Sequence, residues 1–261
     1  PETIQKANST LNALGMNSLY PQSPEFVSAA CWADDLKAQK ENMESNMHYI
    51  NLPVIAPGYT GKIPTVDATN GPWAISQANT TVGTPLSTAL DKARTTRFLI
   101  HFVGDMHQPL HAANYFSDKF TSGDQGGNLW KISDPTYHMT NLHSLWDSGV
   151  GSWQTDPNRP LNASSWDWLE KTADSLMAEN PASSPSIAPL LLDTRTMNWA
   201  TEAVQIAQDF VYTAPQAPTN IPADYYPKGQ TICRRQIAIA GYRLALLLQS
   251  AFKSGKNASV F

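Results

Sequence analysis

Residues 98–116 read FLIHFVGDMHQPLHAANYF, placing three of the chain's six histidines and an aspartate among residues otherwise suited to a protein interior. A buried imidazole or carboxylate is costly unless a hydrogen bond, an ion pair or a metal compensates it. Three histidines at once favour the metal. Residues four apart on an α-helix share a face, so His101 and Asp105 point the same way and can share one ion. His111 lies well round the helix from His101, with Pro109 between them, and is expected to face a second ion. The same stretch decides the fold. With LSTALDKARTTR before it, the segment reads as one long helix that starts at the N-cap and proline pair Thr84–Pro85 and ends or kinks at Pro109.

Helical patterning continues to either side. PEFVSAACWADDLKAQKEN begins with Pro24 after Ser23, a favourable helix start, and predicts a helix over about 24–42. Residues 51–85 turn to Pro, Gly, Thr and Asn, with APGYTGKIP and NGPW as turn signals, and predict a long loop with short ordered pieces at most. Loops of that length often shape a binding site. FSDKFTSGDQGGNLWKISD carries β-favouring residues around Leu129 to Ile132 and suggests a small hairpin. Further helices are expected at 141–149, 163–179, 194–211 and 229–254. Without an internal repeat or a clear linker, the fold class is all-α: one mostly helical domain spanning 1–261.

Composition narrows the partners. The chain has 261 residues, 41% of them hydrophobic, enough for a substantial core. Lys+Arg 18 against Asp+Glu 22 gives a net charge of -4, which excludes broad charge-driven binding to DNA or membrane surfaces. Any phosphate recognition must therefore be local. No run of roughly 18 apolar residues is present; the longest, IAIAGYRLALLLQSAF, is interrupted. Cys31 and Cys233 could form one bridge or stay as two small buried hydrophobes. Glycosylation sequons at Asn8, Asn79, Asn162 and Asn257 would suit a secreted protein.

NLHSLWD at 141–147 repeats the four-residue spacing with His143 and Asp147. Two more candidate ligands lie upstream, Asp34 in CWADDLK and His48 in MHYINLP. Imidazole and carboxylate donors without thiolate suit a catalytic rather than a structural zinc, and seven ligands exceed the needs of one ion. The simplest partition gives one ion Asp34, His48, His101 and Asp105, and the other His111, His143 and Asp147. Asp35 competes with Asp34 for the first place. His107 faces away from Asp105 and reads as a supporting or capping group, His138 as solvent-exposed, and Trp32, Trp130 and Trp146 as packing groups.

Together, HFVGDMHQPLH, NLHSLWD, WAD and HYI resemble the zinc-dependent single-strand-specific nucleases of fungi and plants, the class I nuclease or 3′-nucleotidase family. These motifs span residues 32–147, and AGYRLALLL at 240–248 is similar to the family's last helix. The fold is related to that of bacterial zinc phospholipase C. The resemblance implies cleavage of single-stranded DNA or RNA to 5′-mononucleotides and removal of 3′-phosphates from nucleotides, by a monomer that is secreted or held at a cell surface. It implies the same two-zinc partition, with Asp34, Lys37 and Asp105 as candidate catalytic residues. It places Lys37 near the reacting phosphate, Tyr49 where a base stacks, Asn51 where relatives carry an aspartate at the base edge, and Asn128 of GGN in a loop near the site. In the family a third zinc is held by an N-terminal Trp, a nearby His and the aspartate matching Asp105. This chain begins PETIQKANST, holds only Asp105 of that set, and is expected to lack about one helical stretch. Two other readings compete: a phospholipase C, and a helical protein whose zinc is structural and which is catalytically inactive.

Overall fold

In the computed structural model, which describes residues 2–12, 21–38, 45–153 and 158–254, the chain opens with helix α1 (Glu2–Leu11). A 3-10 turn at Ser28–Cys31 runs into α2 (Trp32–Ala38), and another at Ser45–His48 leads to strand β1 (Leu52–Ile55). Then follow α3 (Gly71–Gly83), α4 (Ala89–Asp105), the short α5 (Pro109–Ala112) and strand β2 (Ala113–Phe116). The remaining helices are α6 (Leu142–Asp147), α7 (Ala163–Glu179), α8 (Ala188–Leu191), α9 (Thr196–Asp209) and α10 (Tyr225–Ser254).

The mostly helical class stands, with corrections at its joints. The expected helix from 24 is a turn, then 3-10, then α-helix from Trp32, with 39–44 outside the described residues. The expected loop over 51–85 contains β1 and the whole of α3. Its Asn-Gly-Pro is not a turn: the Asn70 side chain accepts a hydrogen bond from the Trp73 N–H, and Pro72 occupies the first turn, where its missing N–H does no harm. Thr84 closes α3 instead of opening α4. That helix starts later, at a capping box in which Thr88 and Asp91 satisfy each other's backbone N–H. The hairpin near Leu129–Ile132 is absent. Lys131 makes one antiparallel bridge with Asn141, and the segment is cut by Asp134, whose carboxylate accepts from the backbone of Thr136, Tyr137 and Met139 to form a turn. The sheet among the described residues is instead a parallel pair, β1 with β2, Leu52 opposite Ala113 and Ile55 opposite Phe116.

Two apolar clusters flank the future site. One gathers Ile75, Leu99, Phe102, Val103, Met106, Trp199 and Leu248, where α3, α4, α9 and α10 pack together. The other gathers Leu110, Trp130, Leu142, Trp146, Val211 and Tyr225 beyond α5. Trp32, Trp130 and Trp146 are all buried, as packing groups should be. The chain passes from the first cluster to the second between Asp105 and Leu110.

Candidate metal centre

That passage carries the chemistry. Asp34 from α2, His48 from the 3-10 turn and His101 from α4 converge, with one donor atom of each within 4.8 Å of the others. The Asp105 carboxylate closes the group: its Oδ2 lies 3.1 Å from His48 Nδ1 and 3.2 Å from His101 Nε2. His101 donates its Nδ1–H to the Ala30 carbonyl at 2.5 Å, which turns Nε2 inward. A second group forms beside it from His111 on α5 and His143 and Asp147 on α6, again within 4.8 Å. His111 donates Nδ1–H to the His48 carbonyl at 2.8 Å and His143 donates to the Gly126 carbonyl at 2.6 Å, leaving both Nε2 atoms facing Asp147. Imidazoles fixed by a backbone carbonyl on one nitrogen and presenting the other are prepared as neutral metal ligands.

Local sequence explains the placement. Gln108 caps α5 by accepting from the Leu110 N–H, and Pro109 in the first turn starts a new helix axis that swings His111 back toward the His48 loop. Gln108 Nε2 also donates to Asp147 Oδ1 at 2.8 Å, a role that its position before a proline did not announce. Gly126 has φ +60, and a Cβ there would run into the Leu110 carbonyl, so this loop can present its oxygen to His143 only with glycine.

The electrostatics are those of closely apposed unlike charges. Burial alone would lower the His101 and His111 pKa, but the Asp105 carboxylate beside them outweighs it and raises both to about 9. Burial alone would raise the Asp105 carboxyl, yet His101 and His111 hold it far below the carboxylate range. Asp147 is likewise lowered, the His111 and His143 imidazoles overcoming burial. The His101 and His111 imidazoles are therefore held protonated beside the ionised Asp105 and Asp147, and a divalent metal bound here would displace those protons.

All seven candidate ligands read from the sequence lie together here, as Asp34, His48 and His101 in one group and His111, His143 and Asp147 in the other, with Asp105 between them: its Oδ1 lies 3.6 Å from His111 Nδ1. Asp35 turns away from the cluster to pair with Arg159. A cavity of about 1080 Å³ lies over both groups, and Tyr49, Asn51 and Asn128 stand in its wall. Tyr49 is 40% exposed and its ring is open to a ligand. The Asn128 amide donates to the Gln125 carbonyl. Lys37 belongs to α2, but its side chain lies outside the described residues. His138 is exposed. His107 is buried under α10: its Nδ1–H donates to Val103, and its Nε2 accepts from Arg243, which also pairs with Glu202. Burial and the Arg243 charge hold it neutral, with its pKa lowered to about 3.

The chain matches the S1/P1 Nuclease family over residues 1–253. It belongs to the S1/P1 nuclease family. Endonuclease 2 of Arabidopsis thaliana is 27% identical, covering 92% of this chain and 83% of its own length. Nuclease P1 of Penicillium citrinum is 28% identical, over 85% of this chain and 83% of its own, and nuclease S1 of Aspergillus oryzae 26%, over 92% and 84%. The expected family is thus the right one, and this S1/P1 nuclease is a hydrolase of phosphodiester bonds whose substrates are nucleic acids. Cys31, which is exposed, and Cys233, which is buried, are not bridged to each other.

Proposed function

We propose that this S1/P1 nuclease uses zinc to hydrolyse single-stranded DNA and RNA to 5′-mononucleotides and to remove the phosphate of 3′-nucleotides. The observation that carries the reading is Asp105, one largely enclosed carboxylate within 3.6 Å of both imidazole groups beneath an open cavity. Asp34, His48, His101 and Asp105 would hold one zinc, and His111, His143 and Asp147 another, with three ligands leaving a position for water or substrate. A third zinc, as in the complete family site, would share Asp105. Bound zinc supplies the Lewis acidity that ionises water near neutral pH and stabilises charge on the departing oxygen.

The chain's own residues would bind and orient the nucleic acid. Tyr49 offers a face on which any unpaired base can stack, which favours single strands. Asn51 both donates and accepts at a base edge, where a carboxylate only accepts, so base preference would differ from relatives with aspartate there. Lys37, one turn after Asp34, would bring positive charge toward the reacting phosphate. Asn128 would contact substrate from the opposite wall. We place the protein outside the cell or at its surface, as a monomer; the exposed sequon residue Asn162 at the start of α7 supports export.

The test is hydrolysis by the zinc-loaded protein of single-stranded DNA, RNA, duplex DNA, 3′-AMP and phosphatidylcholine. Release of 5′-mononucleotides from single strands and phosphate from 3′-AMP, with little from duplex, is expected. Headgroup release from phosphatidylcholine without nucleotide hydrolysis would replace the reading with a phospholipase. Zinc bound with no turnover on any substrate would leave a structural zinc protein.

A further inference from the structure

We infer that Gln108 fixes Asp147 as a metal ligand, holding one of its carboxylate oxygens so that only the other is offered to the ion. This rests on the proposal that His111, His143 and Asp147 hold a zinc. Asp147 is the last residue of α6, a helix of six residues, and its side chain is 48% exposed. A carboxylate there sits at the negative end of the helix, and helix ends fray. His111 and His143 are each tied through Nδ1 to a backbone carbonyl. Among the described residues the Asp147 carboxylate has one comparable tie, the Gln108 amide nitrogen 2.8 Å from Oδ1. Each Asp147 oxygen faces one imidazole, Oδ1 toward His111 Nε2 at 3.5 Å and Oδ2 toward His143 Nε2 at 3.3 Å. Gln108 is what makes the two oxygens unequal.

The direction of that amide is set by its neighbours. The Gln108 side-chain oxygen accepts from the Leu110 N–H at 2.6 Å as the cap of α5, so the nitrogen is the end that meets Asp147. Reversing the amide would set N–H against N–H at Leu110 and oxygen against carboxylate at Asp147. The backbone is held as firmly: the Gln108 N–H donates to the Asp105 carbonyl, and the Gln108 carbonyl accepts from the His111 N–H, both at 3.0 Å. One residue is thus bonded to the aspartate between the two groups and to the first and last ligands of the second. Serine could cap α5 here but is too short to reach Asp147 as well, and glutamate would cap it but repel the carboxylate.

The chemical consequence is an open position on the cavity side, where Gln108, Asp147 and both imidazoles stand in the wall. An N–H directed at Oδ1 makes that oxygen the poorer donor to a cation and leaves Oδ2 as the ligand. Two imidazoles and one oxygen make three ligands, which leaves a place for a substrate oxygen. A carboxylate free to bind through both oxygens would fill it.

The experiment separates the two bonds of the Gln108 side chain. Gln108→Ser keeps a cap for α5 and loses the reach to Asp147, whereas Gln108→Leu loses both. Zinc is titrated into the chelator-stripped proteins in competition with a chromophoric chelator, which gives an affinity for each ion. The visible spectrum of the fully cobalt-loaded proteins reports the ligand set. In both variants one zinc should bind about 10- to 100-fold more weakly than in wild type, with the other unchanged. The cobalt bands should lose intensity as the freed Asp147 carboxylate binds through both oxygens and the coordination number rises. Wild-type affinity in Gln108→Ser, equal weakening of both zincs, or a cobalt spectrum superposable on that of wild type would reduce Gln108 to a cap of α5 and overturn the inference. Wild type that takes up fewer than two zincs would instead sink the reading of two zinc sites, and this one with it.

Discussion

Asp105 joins two groups that could otherwise act alone, because its two oxygens reach His48 and His101 on one side and His111 on the other. Asp105→Asn keeps the shape but removes the negative charge and turns one of the two acceptor oxygens into a donor, so it should lower zinc content and cut turnover by about 100-fold, read by elemental analysis and nucleotide release. Asp35→Asn should do neither to that extent, since Asp35 faces Arg159. His107 is a second test at this scale. Its folded pKa lies near 3, below the 6.5 of an exposed imidazole, so it stays neutral while the unfolded chain takes up a proton. Its contribution is thus complete above pH 6.5 and is lost as pH falls toward 3, at up to about 1.4 kcal/mol per pH unit. Urea midpoints should show wild type's advantage over His107→Gln narrowing from pH 7 to pH 4; a constant gap would mean His107 is not buried neutral. The two His–Asp pairs, His101 with Asp105 and His143 with Asp147, were legible in the sequence because a four-residue spacing is all a helix needs to align a histidine with an aspartate. The choice of Asp34 over Asp35 followed only from resemblance. What separates the two in space is Arg159, 124 positions away, and no local pattern reports a partner at that distance.

At the scale of elements, end signals were harder to read than helix bodies. Helices 163–179 and 194–211 were visible from periodicity, and the structure gives Ala163–Glu179 and Thr196–Asp209. Asn70-Gly71-Pro72 has the composition of a turn and the function of a helix start, and only the Trp73 N–H on the Asn70 side chain distinguishes them. Asn70→Ala should therefore cost about 1 kcal/mol in chemical denaturation; no loss would mean that the cap is idle. The parallel pairing of β1 with β2 was not visible either, since four-residue strands so far apart in sequence pair only once α4 and α5 have brought them together. Between β2 and α6, the glycine loop acts as one piece with the second imidazole group. Gly126→Ala must move the loop off the Leu110 carbonyl, costing roughly 1–3 kcal/mol and releasing His143. Zinc content of that variant should fall by about one ion, whereas a full complement would show that the Gly126 carbonyl is dispensable.

For the molecule as a whole, two apolar clusters meet along the stretch from Asp105 to Leu110, and the candidate metal centre sits on that seam. Its ligands come from α2, a 3-10 turn, α4, α5 and α6, so cations held there would tie together parts of the fold distant in sequence. Zinc at about 100 times its dissociation constant should stabilise the fold by about 2.7 kcal/mol, seen as a fall in Tm on chelation. A Tm indifferent to chelator would mean that the two groups do not bind metal in the folded chain. The most direct test of the account is to titrate zinc into chelator-stripped protein while following 5′-mononucleotide release from a single-stranded oligonucleotide. The account expects no release before zinc and a plateau once both imidazole groups are filled. Cleavage that persists in chelator, or zinc-saturated protein that leaves the oligonucleotide intact, would contradict it.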